Sequence, residues 1–344
     1  MLGCGSSSKN TGTHVYVVNN SAGNVGIYNI QGDGSLSTAS GSPFNVGSNP
    51  LCLVFTPNGK YAYSVNQGQS TISSYTVNAD GTLTAGSNIT DNGFPTNLVI
   101  DSTGTHLYAA DSGLQGTPGI SFYTISSTGT LAPVTTTSSI ALLFPAAYLA
   151  TSSSAAGFLY AAIPNTGSVL TFNIDSSTGV LKANTLTPSV SAGIRPTFLA
   201  FSGNFLLAAD NGGQSVWVYE IQSGQGNLLN VAGSPFVSGL NPSAIAVAGQ
   251  DVYVTNQNGN SVSVFQISAQ GQMGQLSGSP YTTHGTGPVA VAVSPGGNAL
   301  YVADQATSKL DEYQIGLVNT FLSVTPFSAS PLSADGGPVW IAIH

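Results

Sequence analysis

The chain has 344 residues, with 5 Lys or Arg against 13 Asp or Glu and a formal net charge of −8 at neutral pH. Charged residues make up only 5% of it, far below the roughly 25% of an ordinary soluble domain, and a hydrophobic fraction of 41% excludes a disordered chain. The five cations, Lys9, Lys60, Lys182, Arg195 and Lys309, are scattered, which excludes the basic stripe that nucleic acid or an anionic membrane surface requires.

The N-terminal stretch "MLGCGSSSKNTGT" resembles the end of a bacterial lipoprotein signal, with a small residue before Cys4 and a Ser/Gly-rich tail after it. That resemblance implies a flexible tether over residues 1–12, a lipid on Cys4, and an extracytoplasmic location (secreted, periplasmic or lipid-anchored). Membrane contact is then expected only through that anchor. The other cysteine, Cys52, sits in the apolar run "LCLVF" and reads as a small buried hydrophobe. The longest apolar run, Ile140 to Ala150, is too short to span a bilayer and is broken by Pro145.

From residue 13 onward one unit is written seven times. Its first half appears as "HVYVVNN", "YAYSVNQ", "HLYAADS", "FLYAAIP", "FLLAADN", "DVYVTNQ" and "ALYVADQ". The third residues are Tyr16, Tyr63, Tyr108, Tyr160, Leu207, Tyr253 and Tyr301, spaced by 47, 45, 52, 47, 46 and 48. Each unit continues with a second alternating run such as "SVSVFQI" or "SVWVYEI", then a Gly turn and a short third run such as "ADGTLT". Alternation over six or seven residues marks half-buried strands, and the Gly turns mark hairpins. Each unit ends with a proline and the most continuously apolar run: Pro50, Pro95, Pro145, Pro196, Pro242, Pro288 and Pro338. A strand covered on both faces has this composition, so these seven are predicted to be innermost.

Four antiparallel strands in about 47 residues fit a propeller blade. The predicted fold is all-β: one seven-bladed β-propeller over residues 13–344. The chain enters on a second strand and leaves on an innermost one, so the C-terminal strand is expected to complete the N-terminal blade and close the ring.

This strand order puts two sets of loops on one face, those joining the two alternating runs and those leading into the innermost strands. Asn19, Asn66, Asp111, Asp210, Asn256 and Asp304 share one repeat position there, and only Ile163 departs from it. Short amides and carboxylates suit turns after a strand, and the same ring is also suited to binding a polyol or a cation at a channel mouth. Arg195, His284, Asp91 and Asp335 fall in the lead-in loops. Arg195 and His284 break the repeat: a guanidinium grips carboxylates or phosphates, and an imidazole serves as a general base. His14 and His106 fall near the opposite face, and no spacing among the four histidines resembles a zinc site. No phosphate loop or nucleophile elbow occurs, so no cofactor and no metal is expected.

With its blades laid out, the chain resembles the seven-bladed lactonase-like propellers of the 6-phosphogluconolactonase type, and it is similar to propellers named for a Tyr-Val-Thr-Asn repeat, spelled by Tyr253 to Asn256. Active members of the family carry His, Arg and Glu at the channel mouth, with Gly-Pro-Arg-His leading into one innermost strand. Here "GIRPTFLAF" puts Arg195 before its proline, no His follows, and the two glutamates, Glu220 and Glu312, lie near second alternating runs. Two functions follow. One is a non-catalytic binding or surface scaffold protein, its partner a surface polymer or another protein. The other is a lactonase acting on a small sugar lactone or acid, with His284 activating water, Asp304 orienting it, and Arg195 holding the anion or the oxyanion.

Overall fold

The computed structural model describes residues 14–114, 116–134, 137–153, 157–318, 321–328 and 330–344; Cys4 and the tether lie outside the described residues. Seven antiparallel sheets follow one another along the chain as seven blades. The sixth shows the pattern: Pro242–Ala248 is innermost, followed outward by Asp251–Asn256, Ser261–Ile267 and Met273–Gln275. In six blades a further short segment pairs with the third strand beyond the fourth, and in the second blade Leu83–Thr90 runs without a break.

Innermost strands such as Pro50–Phe55, Pro288–Val293 and Pro338–Ile343 are buried at nearly every position, which is why they lack the alternation of the other strands. The fourth blade differs. Its innermost strand is Tyr148–Thr151, starting three residues after Pro145, whereas the other six start on their prolines.

In five blades the repeat tyrosine ties the blade to the next. Tyr16, Tyr63, Tyr108 and Tyr160 donate from their hydroxyls to the carbonyls of Gly81, Gly129, Gly179 and Gly226, each in the outer hairpin of the following blade, at 2.7 to 2.9 Å. Tyr301 does the same to Gly34 at 2.6 Å, across the join between the chain's two ends. Burial raises the Tyr160 hydroxyl well above the usual phenol range, so it stays a donor. Tyr160→Phe strands the Gly226 carbonyl in the interior and is expected to cost about 1–2 kcal/mol in urea unfolding; an unchanged midpoint and slope would remove this tie from the account.

The ring closes as the repeat phase requires. Pro338–Ile343 pairs antiparallel with His14–Asn19, and the amides of His14 and His344 each donate to the other's carbonyl at 2.8 and 2.9 Å. Glu312 adds a second tie at this seam, its Oε1 accepting the Leu36 amide at 2.6 Å.

Candidate functional site on the channel-mouth face

Six blades share one device at the end of the second strand. Asn19, Asn66, Asp111, Asp210, Asn256 and Asp304 are 0–4% exposed, and each pairs across the sheet with the proline that opens its innermost strand. In the fifth and sixth blades the side chain also holds the lead-in loop. Asp210 Oδ1 accepts the amides of Ile194 and Arg195 at 3.1 and 2.7 Å, and Asn256 Oδ1 accepts the Gly239 amide at 3.0 Å. A glycine lies flat against this side chain in five blades, and a Cβ on Gly47, Gly93, Gly193, Gly239 or Gly285 would overlap it. These Asn and Asp side chains are therefore enclosed by their own loops, and a ligand at the channel mouth meets the loops first.

On the third strand, the residue facing this position is Ser73, Ser121 or Ser263 in three blades, each bonded to the Asn or Asp at 2.6 to 2.9 Å. In the seventh blade it is Asp311, so two carboxylates face each other in the interior, Asp304 and Asp311 both 0% exposed. Tyr313 donates to Asp311 Oδ2 at 2.6 Å, and neither oxygen of Asp304 has a donor while both acids are ionised. A proton on Asp304 supplies the missing donor. Burial, then the charge of Asp311, raises the Asp304 carboxyl to about 8. The third blade also holds two buried acids, by a different route: Asp111 accepts from Ser121 and is raised to about 7 by burial and by Asp91 of the lead-in loop, whose Oδ2 accepts from Tyr123 at 2.7 Å.

His284 stands in front of the seventh-blade pair. Its ring stacks on Tyr313 with centroids 5.8 Å apart, its Nδ1 is 3.6 Å from Asp311 Oδ2, and its side chain is 41% exposed. The carboxylate beside His284 is Asp311, and Asp304 lies behind it. Of the other histidines, His106 pairs with Asp101 at 2.8 Å, and His344 stacks on Phe55 with centroids 4.6 Å apart.

Arg195 is elsewhere. It lines a cavity of about 570 Å³ over the fourth blade, together with Pro145–Ala147 and Pro164 of that blade, Thr96 of the third, and Ile194 beside it; Asn165 completes the lining. His284 is not among the lining residues. At this repeat position the fourth blade has Ile163, whose side chain has no polar atom to offer a lead-in loop. No Pro145 to Ile163 pairing forms and the strand begins at Tyr148, with the Ala147 amide still donating to the Ala162 carbonyl at 2.9 Å. Thr96 and Ala147 also line the central cavity of about 220 Å³, whose other walls are aliphatic apart from Asn97 and the aromatic rings of Tyr148, Phe198 and Trp340.

Asp311, Tyr313 and the strip Pro145–Ala147 were not singled out by sequence. The signal for Asp311 lies in stacking the second alternating runs: the position reads Gly26, Ser73, Ser121, Leu170, Trp217, Ser263 and Asp311, and only one of these is charged. The signal for the cavity is Ile163, the one break in the Asn/Asp ring.

Fold and site together define a seven-bladed propeller with a loop-built cavity beside its channel. The chain matches the family model described as lactonase, 7-bladed beta-propeller, over residues 7–241 and 231–326, and it belongs to that family. It is similar in structure to the periplasmic gluconolactonase PpgL of Pseudomonas aeruginosa, with a TM-score of 0.81, 20% identity, and 96% of this chain and 99% of that one covered. A protein from Lactobacillus plantarum superimposes with a TM-score of 0.79 at 16% identity, over 97% and 100% of the two chains. Another, from Bacteroides fragilis and provisionally described as a 6-phosphogluconolactonase, gives 0.78 at 18% identity, over 98% and 99%. At these identities the likeness concerns the fold. A search of curated proteins returns no significant relative.

Proposed function

We propose that this protein is a non-catalytic binding propeller that works outside the cytoplasm and takes its ligand on the channel-mouth face. The observation that carries this reading is the separation of the polar groups a lactone hydrolase would need together. Arg195 lines the fourth-blade cavity, His284 stacks on Tyr313 in the seventh blade, and Asp304 is buried behind Asp311. A water-activating base and an anion-holding cation act only within hydrogen-bond reach of one substrate. The low charge of the chain and the fold it shares with a periplasmic protein support the location, and a lipid on Cys4 would tether the propeller to a membrane.

One observation favours the alternative, hydrolysis of a sugar lactone: the exposed imidazole of His284 beside the Asp311 carboxylate, a base with an orienting acid behind it. The two readings part on a direct assay. Gluconolactone and 6-phosphogluconolactone are expected to open in the presence of the protein at the spontaneous rate, with wild type and His284→Ala alike. Acceleration that His284→Ala abolishes would replace the binding reading with the enzymatic one.

A further inference from the structure

The fourth-blade cavity has a chemistry unlike a sugar site. Pro145, Ala146, Ala147, Pro164 and Ile194 contribute apolar surface, and the only polar side chains are Thr96, Asn165 and Arg195. The Thr96 hydroxyl already donates to the Ala110 carbonyl at 3.1 Å. A polyhydroxylated ligand would therefore find among the lining side chains one carboxamide, one guanidinium and the Thr96 oxygen as an acceptor, and each buried hydroxyl without a partner weakens binding.

The rim continues the apolar theme. Leu143 is 84% exposed and Ile194 70% exposed, in the lead-in loops of the fourth and fifth blades. Leu114 and Leu240, 69% and 50% exposed, stand in loops on the same face of the third and sixth blades. Exposed aliphatics on the face that carries a concave opening mark a recognition surface. Arg195 is the cation of this opening. Its backbone amide is bonded to Asp210 at 2.7 Å, while its guanidinium has no hydrogen bond or ion pair among the described residues. A planar five-donor group left free beside apolar walls suits a carboxylate on an apolar body.

We propose that this cavity binds a small apolar carboxylic acid, an aryl-alkanoic or branched aliphatic acid, with the carboxylate on Arg195 and the body against Pro145–Ala147, Pro164 and Ile194. A volume of about 570 Å³ admits an acid of this kind with room to spare. The assignment rests on the binding reading above and adds the ligand class to it.

The test is isothermal titration of the full chain with 3-phenylpropionate, its uncharged amide and gluconate. Arg195 and Ile194 are exposed, so Arg195→Gln and Ile194→Ser leave the fold intact, which thermal unfolding verifies. Saturable binding of 3-phenylpropionate is expected, weakened about tenfold by Arg195→Gln and by loss of the charge in the amide, and weakened also by Ile194→Ser. The amide should be indifferent to Arg195→Gln, and gluconate should bind at least tenfold more weakly than 3-phenylpropionate. No binding of 3-phenylpropionate, or binding that neither substitution moves, overturns the assignment. Gluconate binding more tightly, in a manner lost in Arg195→Gln, overturns the ligand class and leaves the binding reading standing. Lactone turnover abolished by His284→Ala removes the binding reading itself.

Discussion

Removal of Pro338–His344 is expected to abolish the cooperative fold. The strand supplies the inner wall of the first blade and buries Trp340, Ile341 and Ile343, each 7% exposed or less. At about 1.5–3 kcal/mol for each large apolar side chain, these three alone contribute on the order of 5–9 kcal/mol. A whole domain is stable by only about 5–15 kcal/mol. The indole N–H of Trp340, bonded to the Leu53 carbonyl at 3.0 Å, and the backbone ladder with His14–Asn19 are lost as well. The truncation also bares the edge of His14–Asn19, whose free N–H and C=O groups template pairing with other chains. Thermal unfolding should show no native transition, or one lowered by more than about 10 °C, and size-exclusion should show aggregate. A monomer melting at the wild-type temperature would mean that the ring does not depend on this closure.

Alkaline pH is expected to destabilise the protein through its buried acid pairs. Asp304 and Asp111 have folded-state carboxyls raised to about 8 and about 7 by burial and by their partners Asp311 and Asp91, whereas the unfolded chain holds them near 4. Between those values the folded state binds more protons than the unfolded one. Stability is therefore fully present below the unfolded value and falls as pH rises through the window, from about pH 4 to about pH 8. At about 1.4 kcal/mol per unit of difference, about three units for Asp304 and two for Asp111 above pH 5 put the loss between pH 5 and pH 9 on the order of 7 kcal/mol.

Asparagine occupies the same position in the first, second and sixth blades, as Asn19, Asn66 and Asn256, so the loop accepts an amide there. Asp304→Asn combined with Asp111→Asn should leave stability at pH 5 within about 1 kcal/mol of wild type and raise it by about 2 kcal/mol or more at pH 9. Urea unfolding at the two pH values reads the difference. Parallel stability profiles for the two proteins would show that these pairs hold no shared proton.

The architecture was legible because seven copies of one pattern reinforce each other. A single stretch such as "DVYVTNQNGNSVSVFQI" reads as two strands and a turn. Seven of them at nearly constant spacing also specify the blade, the innermost strand and the closure by Pro338–Ile343. The Asn/Asp ring was legible as a position, and the structure adds its setting: in five blades a glycine with no Cβ to spare lies against the side chain, and Asp210 and Asn256 also accept amides of their lead-in loops. The repeat tyrosine was legible as a marker of period, while its hydroxyl bond to the next blade spans about 65 to 71 residues in the regular cases, a distance over which no local pattern speaks.

Strand number, strand order and ring closure are properties of periodic local patterning, and the amino-acid sequence by itself determined them. Which unlike residues meet is another matter. Arg195 and His284 both break the repeat on the same face, yet one opens onto a cavity over the fourth blade and the other stacks in the seventh. Asp311 and Asp304 meet as diagonal neighbours on adjacent strands, Asp311 level with Val302 and Asp304 level with Lys309, and the innermost strand of the fourth blade begins at Tyr148 with no Pro145 to Ile163 pairing. Such encounters depend on blade-to-blade placement and on hydrogen bonds that fail to form. Only the tertiary structure decided them.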